Sequence, residues 1–313
     1  MRVTRELEQL APPVRGAVVS IGVFDGVHVG HRAILEANVA AGRARGLEPT
    51  VVTFRQHPKQ VLLGRAPRTL TSLEHRLELF QRAGIEHTVA LAFDEELRSR
   101  PAEDFIRGVL IEAVSARHFV LGFDSKFGKD RRGGPELLRE LGHGVEVVDR
   151  VLVRKWAVSS TAIREAVELG DLEAAAAMLG RPVSVLGRVV EGRQLGRTIG
   201  FPTANLDLDH ELHPPVGVYA GRARRTASHG EATQASWPAV INIGYRPTVE
   251  EAAPSPLLEV HLIDQEEDLY GAALEVEFVA RIRGEQRFDG LEALQAQIGR
   301  DVEAARELLL PPR

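Results

Sequence analysis

The sequence predicts two domains of different class: an α/β N-terminal domain built on a doubly wound, mostly parallel sheet, and a small antiparallel β-barrel followed by a C-terminal helix. Three observations carry this. Between Ala17 and Val148, short apolar runs alternate with stretches of helical periodicity over short connections, which is the pattern of βαβ units. Between Val183 and Ala280, strand-like runs follow one another with Gly and Pro between them and no long helical pattern, as in a small barrel. Near the end, Leu291, Leu294, Ile298, Val302, Ala305, Leu308 and Leu309 trace a single helix stripe. A chain of 313 residues is long enough for two cores. The change of character falls at Gly180-Arg181-Pro182, giving domains 1–181 and 182–313.

In order, residues 1–16 read as a lead-in, Ala17 to Val23 as the first strand and His31 to Arg45 as the first helix. Thr50 to Phe54 is the second strand, stopped by Pro58. Thr71-Ser72 suits an N-cap, with Leu73, Leu77, Leu79 and Phe80 as the apolar face behind it. Thr88 to Phe93 is a third strand, and Pro101 opens a helix carrying Phe105, Ile106, Val109, Leu110 and Ala113. His118 to Gly122 and Val145 to Val148 complete the sheet. Ser159-Ser160-Thr161 precede a helical pattern, and a short alanine-rich helix spans Asp171 to Leu179. Strands then follow at Val183–Val190, Val218–Ala223, Ala239–Ile243, Leu257–Ile263 and Leu274–Ala280.

Composition narrows the function classes. Hydrophobic residues make up 44% and charged residues 27%, with a formal net charge of −5, as in a soluble globular protein. No basic stripe is present, which argues against nucleic acid as a partner. No apolar run approaches ~18 residues, so no membrane span is expected. The absence of cysteine excludes disulfides and thiolate metal sites and, with no signal-peptide core at the N-terminus, fits a cytoplasmic protein.

The densest chemistry lies in Gly22-Val-Phe24-Asp25-Gly-Val-His28-Val-Gly30-His31. A strand here gives way to a glycine turn and a helix start, where backbone N–H groups without intrahelical partners favour an anion. His28 and His31 share a face at their spacing, and two imidazoles beside free amides suit a phosphate whose charge is being redistributed. Surface histidines or a metal site would fit the bare H-x-G-H equally well. On a sheet of this kind, ligands bind at the carboxyl ends of strands, where His28, His57 and Asp124 would sit. Hydroxyls and an arginine at Ser159, Ser160, Thr161 and Arg164 suit a diphosphate or form a plain helix cap. In the second half, Gly192, Arg197 and Gly200 make a glycine-rich loop that could cover phosphates, or an ordinary turn. Thr203 and Asn205 offer neutral oxygens to a magnesium ion that keeps its other ligands from water and phosphate. Glu259 shares a strand face with His261. If that face lines a pocket, the carboxylate could accept a proton from an attacking hydroxyl; otherwise it lies on the outer surface.

Seven motifs in fixed order resemble one family: Gly22 to His31, Phe54 to Pro58, Gly122 to Gly128, Ser159 to Arg164, Gly200 to Asn205, Asn242 to Thr248 and Glu259-Val-His261. The chain is similar, from about Val18 to Val302, to the bacterial bifunctional riboflavin kinase/FMN adenylyltransferases. The resemblance implies a Rossmann-like nucleotidyltransferase domain ahead of a riboflavin kinase barrel. It further implies Mg²⁺ as cofactor, ATP, riboflavin, FMN and FAD as ligands, and a cytoplasmic enzyme; whether it forms a homo-oligomer is left open. By carry-over, His28, His31 and the turn residues Gly22, Phe24, Asp25 and Gly30 would contact ATP, and Ser159, Ser160, Thr161 and Arg164 the diphosphate. His57 and Asp124 would belong to the FMN-adenylylation site. Gly192, Arg197 and Gly200 would cover the kinase ATP, Thr203 and Asn205 would organise Mg-ATP, and Glu259 would be the base for the ribityl 5′-hydroxyl.

The sequence departs from the family pattern at Arg55-Gln56, and at Phe123 and Ser125, where an acid and an aromatic are expected. The altered Phe123/Ser125 turn motivates an alternative, a riboflavin kinase whose N-terminal domain only binds nucleotide or flavin as a regulatory or structural module. A third reading, an adenylyl- or cytidylyltransferase for another acceptor, is opposed by the kinase motifs.

Overall fold

The computed structural model describes residues 1–11, 15–191, 196, 199–208, 211–226, 236–245, 256–265, 267 and 269–310. The chain divides into two compact units, Met1–Ser160 and Thr161–Arg313.

The first unit is organised by six strands: β1 (Arg2–Thr4), β2 (Ala17–Ile21), β3 (Glu48–Phe54), β4 (His87–Leu91), β5 (Ala116–Gly122) and β6 (Gly144–Val148). All pair in parallel, in the order β1-β4-β3-β2-β5-β6. Side chains alternate between two buried faces. Val19, Ile21, Val52, Phe54, Leu91 and Leu121 pack with Phe105, Ile106 and Leu110. On the other face Val51 packs with Leu35 and Val39 of α1 (Val29–Arg45) and with Phe80, while Val18 and Val120 pack with Ala41. A polar pin fixes α1 on this face. The Asn38 amide donates to Val18 O, Ser20 Oγ and Thr50 O, and Ser20 Oγ donates to Val120 O. Shorter helices complete the layers: α2 (Lys59–Leu63), α3 (Leu73–Arg82), α4 (Glu95–Ser99), α5 (Ala102–Asp104) and α6 (Pro135–Glu140). The doubly wound parallel sheet is as expected, and strand order reverses between β2 and β5, the switch point where such sheets bind ligands.

Several local features differ from the sequence expectation. The supposed lead-in contributes β1, three residues long, to the sheet. The helix opened by Pro101 continues beyond α5 as a π-helix over Phe105–Ala113, a wider turn that the apolar spacing did not distinguish from an α-helix. A small hairpin, β7 (Leu152–Val153) and β8 (Trp156–Ala157), turns through Arg154 and Lys155, both with positive φ.

The helix α7 (Ser160–Leu169) begins at the last residue of the first unit, and α8 (Leu172–Leu179) follows with Asp171 as its N-cap. The second unit then forms a closed antiparallel barrel of β9 (Val183–Val190), β10 (Ala204–Leu208), β11 (Gly217–Arg225), β12 (Trp237–Tyr245), β13 (Pro256–Leu262) and β14 (Ala273–Arg283), in the order β10-β13-β12-β11-β14-β9. Tyr219, Ile241, Ile243, Leu258 and Val260 alternate to the interior and are fully buried. The opposite face, with Val218, Ala220 and Val240, is covered by Val302, Ala305 and Leu309 of the last helix, α9 (Leu291–Leu309). β10 was not expected: Ala204 and Asn205 close the glycine-rich motif, and the three residues after them, Leu206 to Leu208, were assigned to no element. The α9 stripe also needs correction. Leu291 and Leu308 are exposed, and Asp301 is buried instead, held by the Arg283 guanidinium at 2.8–3.1 Å.

One histidine ties β1 to the sheet. Arg2 Nη2 lies 3.1 Å from His87 Nδ1, and because a guanidinium only donates, Nδ1 is the acceptor and Nε2–H donates to Thr4 Oγ1 at 3.0 Å. Burial, and then the charge of Arg2, push this histidine down to about 4. The unfolded chain therefore binds the extra proton first, so stability is lost as pH falls from about 6.5 toward 4. We expect the thermal midpoint of the first unit to drop over that window, and to drop less in His87→Gln, as read by melts at a series of pH values.

Candidate active sites

Three turns leave the carboxyl ends of the adjacent central strands β3, β2 and β5, bringing His57, His28 and Asp124 to one end of the sheet. The turn after β2 is the most constrained. Phe24, Gly26 and Val27 all have positive φ (53°, 80° and 39°), an uncommon conformation for a β-branched residue. Asp25 holds the turn in place. Its buried carboxylate accepts from Leu70 N at 2.9 Å, Thr71 N at 3.1 Å and Thr71 Oγ1 at 3.3 Å, and Thr71 Oγ1 in turn accepts from Gly26 N at 2.9 Å. Ser160 Oγ donates to Asp25 O at 3.0 Å, so one member of the hydroxyl cluster meets the turn. Thr161 and Arg164 follow Ser160 on α7, in the second unit.

His28 is the N-cap of α1, and its Nδ1 accepts from His31 N at 3.3 Å. The two rings stack with centroids 3.6 Å apart, and Phe24 meets His31 edge-on at 5.2 Å. A Cβ on Gly30 would stand 3.2 Å from the His28 ring, and one on Gly22 would stand 3.0 Å from Phe24. Both glycines therefore make room for the rings themselves. Burial, then the charges of His28 and Arg76, hold His31 well below the usual histidine range, and its Nδ1 is buried with no hydrogen-bond partner in the fold. Arg76 escaped the sequence reading. It is buried on α3 and donates to Val23 O, Thr53 Oγ1 and Phe54 O. It lies on the same helical stripe as Leu73, Leu77 and Phe80, and an arginine in an apolar stripe was the available signal. A fixed positive charge, neutral imidazole and open helix amides converge at the switch point, an arrangement suited to an anion.

Around this site the remaining residues are more exposed. His57 Nδ1 accepts from Lys59 N at 3.1 Å. Asp124 is exposed, beside a half-exposed Phe123 whose ring carries the Arg150 guanidinium at 4.7 Å.

The second site is a cavity of about 290 Å³ in the second unit, on the barrel face covered by α9. Thr203, Asn242, Glu259 and His261 line it with Arg283, Phe288 and Asp301. Strand register explains the convergence. Asn205 pairs with Glu259, Glu259 with Asn242, Asn242 with Val218 and Val218 with Arg283, so one row of side chains crosses five strands on one face. Asn242 Nδ2 donates to Glu259 Oε2 at 3.1 Å. Glu259 thus lines a pocket, the first of the two options open at the sequence level. Asn205 is buried and Thr203 exposed. Two neutral hard oxygens beside one carboxylate fit a magnesium ion that draws its remaining ligands from phosphate and water. Among the described residues no group of three His, Asp or Glu side chains could hold a metal by itself. Gly200 has φ 84°. Gly192 and Arg197, with Arg246 to Thr248 of the Asn242 motif, lie outside the described residues.

Comparison with known proteins shows the family. A family profile described as FAD synthetase matches residues 11–162, and one described as riboflavin kinase matches residues 179–309. Proteins named bifunctional riboflavin kinase/FMN adenylyltransferase are 39% identical in Escherichia coli K12, covering 98% of this chain and 97% of the relative, and 36% identical in Bacillus subtilis, covering 92% and 91%. The chain belongs to the bifunctional riboflavin kinase/FMN adenylyltransferase family. A crystal structure from Streptococcus pneumoniae, named there as a macrolide-efflux protein, has a TM-score of 0.81 and 30% identity, covering 98% of this chain and 99% of that one. Among the described residues of this family member, no helix is long and apolar enough to cross a membrane.

The Asp25 clamp yields a stability test. Asp25→Ala strands two buried backbone donors at Leu70 and Thr71, and should cost about 3 kcal/mol. Urea denaturation followed by circular dichroism, with wild type alongside, measures it.

Proposed function

We propose that the chain carries out two consecutive ATP-dependent steps of flavin cofactor formation, with residues 182–313 phosphorylating riboflavin to FMN and residues 1–181 transferring AMP from ATP to FMN, giving FAD and pyrophosphate. The observation that carries the kinase half is the position of Glu259 between Asn205 and Asn242 in the strand register, with its carboxylate in the cavity. The ribityl 5′-hydroxyl loses its proton to Glu259 as its oxygen attacks the γ-phosphorus, and ADP departs. Asn242 orients the carboxylate through its amide. Thr203 and Asn205 hold a divalent cation, in our reading Mg²⁺, which when bound neutralises phosphate charge. Gly192, Arg197 and Gly200 cover the ATP of this site.

For the step carried out by residues 1–181, FMN already presents a phosphate oxygen and needs no strong base. The work there is positioning and charge stabilisation. His28, His31 and the first-turn amides of α1 receive the α-phosphate, and the charge of Arg76 adds a fixed positive field. Ser159, Ser160, Thr161 and Arg164 hold the leaving pyrophosphate. Gly22, Phe24, Gly30 and Asp25 act by shaping the turn, Asp25 through its bonds to Leu70 and Thr71 rather than by touching phosphate. His57 and Asp124 flank the acceptor.

The test is incubation with riboflavin, ATP and Mg²⁺, with the flavins separated by chromatography. FMN and FAD together are expected; FMN alone would leave the N-terminal half as a binding module. His28→Ala should lower FAD formation by about 100-fold or more while FMN formation persists; equal loss of both would refute the two-site assignment. Glu259→Gln should lower riboflavin phosphorylation by about 100-fold or more, while added FMN is still adenylylated. Near-normal kinase turnover in that variant would remove Glu259 from the base role.

A further inference from the structure

Between the end of the glycine-rich stretch and β10 lies a short segment, residues 199–203, that brings Thr203 to the kinase cavity and leads into Asn205 of β10. Among the described residues its backbone is held at a few points. Ile199 N and Phe201 N both donate to Gly196 O, at 3.2 and 2.8 Å, and Gln295 of α9 donates to Ile199 O at 3.2 Å. Pro202 has no N–H to offer, and Thr203 is exposed. A further contact comes from β13, where His261 Nδ1 lies 2.8 Å from Pro202 O. A carbonyl only accepts, so Nδ1 carries the proton and donates. The same imidazole meets the Phe201 ring edge-on, with centroids 5.5 Å apart.

His261 stands two residues after Glu259 on one strand and therefore on the same face, and both line the cavity. One short piece of β13 thus carries the carboxylate, pairs through Glu259 with Asn205, and grips the carbonyl that immediately precedes Thr203. The distance between the carboxylate and the Thr203 hydroxyl is set by this grip, because nothing in the regular ladder of β10 reaches back as far as residue 203.

We propose that His261 is a positioning residue of the kinase site: its Nδ1–H holds the Pro202 carbonyl and so fixes the Thr203 oxygen, where Mg-ATP binds, against Glu259. The inference rests on the kinase reading of the cavity. It assigns His261 no proton transfer and no contact with riboflavin.

The test uses the full chain with riboflavin and Mg-ATP. His261→Ala should lower kcat/KM for ATP in riboflavin phosphorylation by about tenfold, with KM for riboflavin and the rate of FMN adenylylation unchanged. Two amide variants separate geometry from bulk. The asparagine amide nitrogen can occupy the place of Nδ1, so His261→Asn should recover most of the lost kcat/KM, whereas His261→Gln, whose amide reaches toward the place of Nε2, should resemble His261→Ala. The asparagine–glutamine pair also carries the test should the alanine variant fold poorly. Equal activity of the two amide variants, an effect on riboflavin KM in place of ATP KM, or parallel loss of both activities would overturn the proposal. Failure of wild type to make FMN at all would instead overturn the kinase reading itself.

Discussion

A carboxylate buried among backbone amides sets the geometry of the first unit. Without the bonds from Leu70 and Thr71 to Asp25, the run of positive φ values at Phe24, Gly26 and Val27 would have no reason to persist. With them, the chain leaving β2 is bent sharply enough for His28 to cap α1 and for its ring to lie flat on His31. Arg76 reinforces the arrangement from beneath by tying the ends of β2 and β3 together through Val23 and Phe54 carbonyls. The imidazoles are therefore placed by groups that never need to meet a ligand.

The second unit reaches the same end by register. Side chains alternate along each strand, so a slip of one residue in β13 would send Glu259 into the apolar interior and bring Val260 to the cavity. Closure of the barrel removes that freedom. Each strand is paired on both sides, and Asn205, Glu259 and Asn242 are aligned by bonds running around the whole ring. The ion pair of Arg283 with Asp301 fastens α9 to the far end of the same row.

The sequence was most legible where periodicity is long and one-sided. β9 and the cores of β11 to β14 stood out by alternation, and α1 and α3 by their apolar stripes. It was least legible where short elements sit inside another signal. β1 has three residues and no room for a pattern, and β10 starts at the end of a motif dominated by glycine, proline and polar residues. Candidate site residues could be named because glycines, histidines and hydroxyls cluster along the chain. Their pairing could not, since the meeting of Asn205 with Glu259 depends on register, which no local spacing encodes. Asp301 and Arg76 were missed for a related reason: a charged residue in a helix is read as solvent-facing until a partner is known to bury it.

Barrel closure has one more result, for how copies of the chain meet. A closed ring leaves no strand edge onto which a foreign strand could add. In the parallel sheet the two edges are β1 and β6. β1 is too short to template a long pairing, and β6 carries Glu146 at its centre, a charge that disfavours stacking of like edges. Self-association through shared backbone ladders is thereby disfavoured on the six-stranded sheet and on the barrel, which leaves assembly of these two to side-chain surfaces.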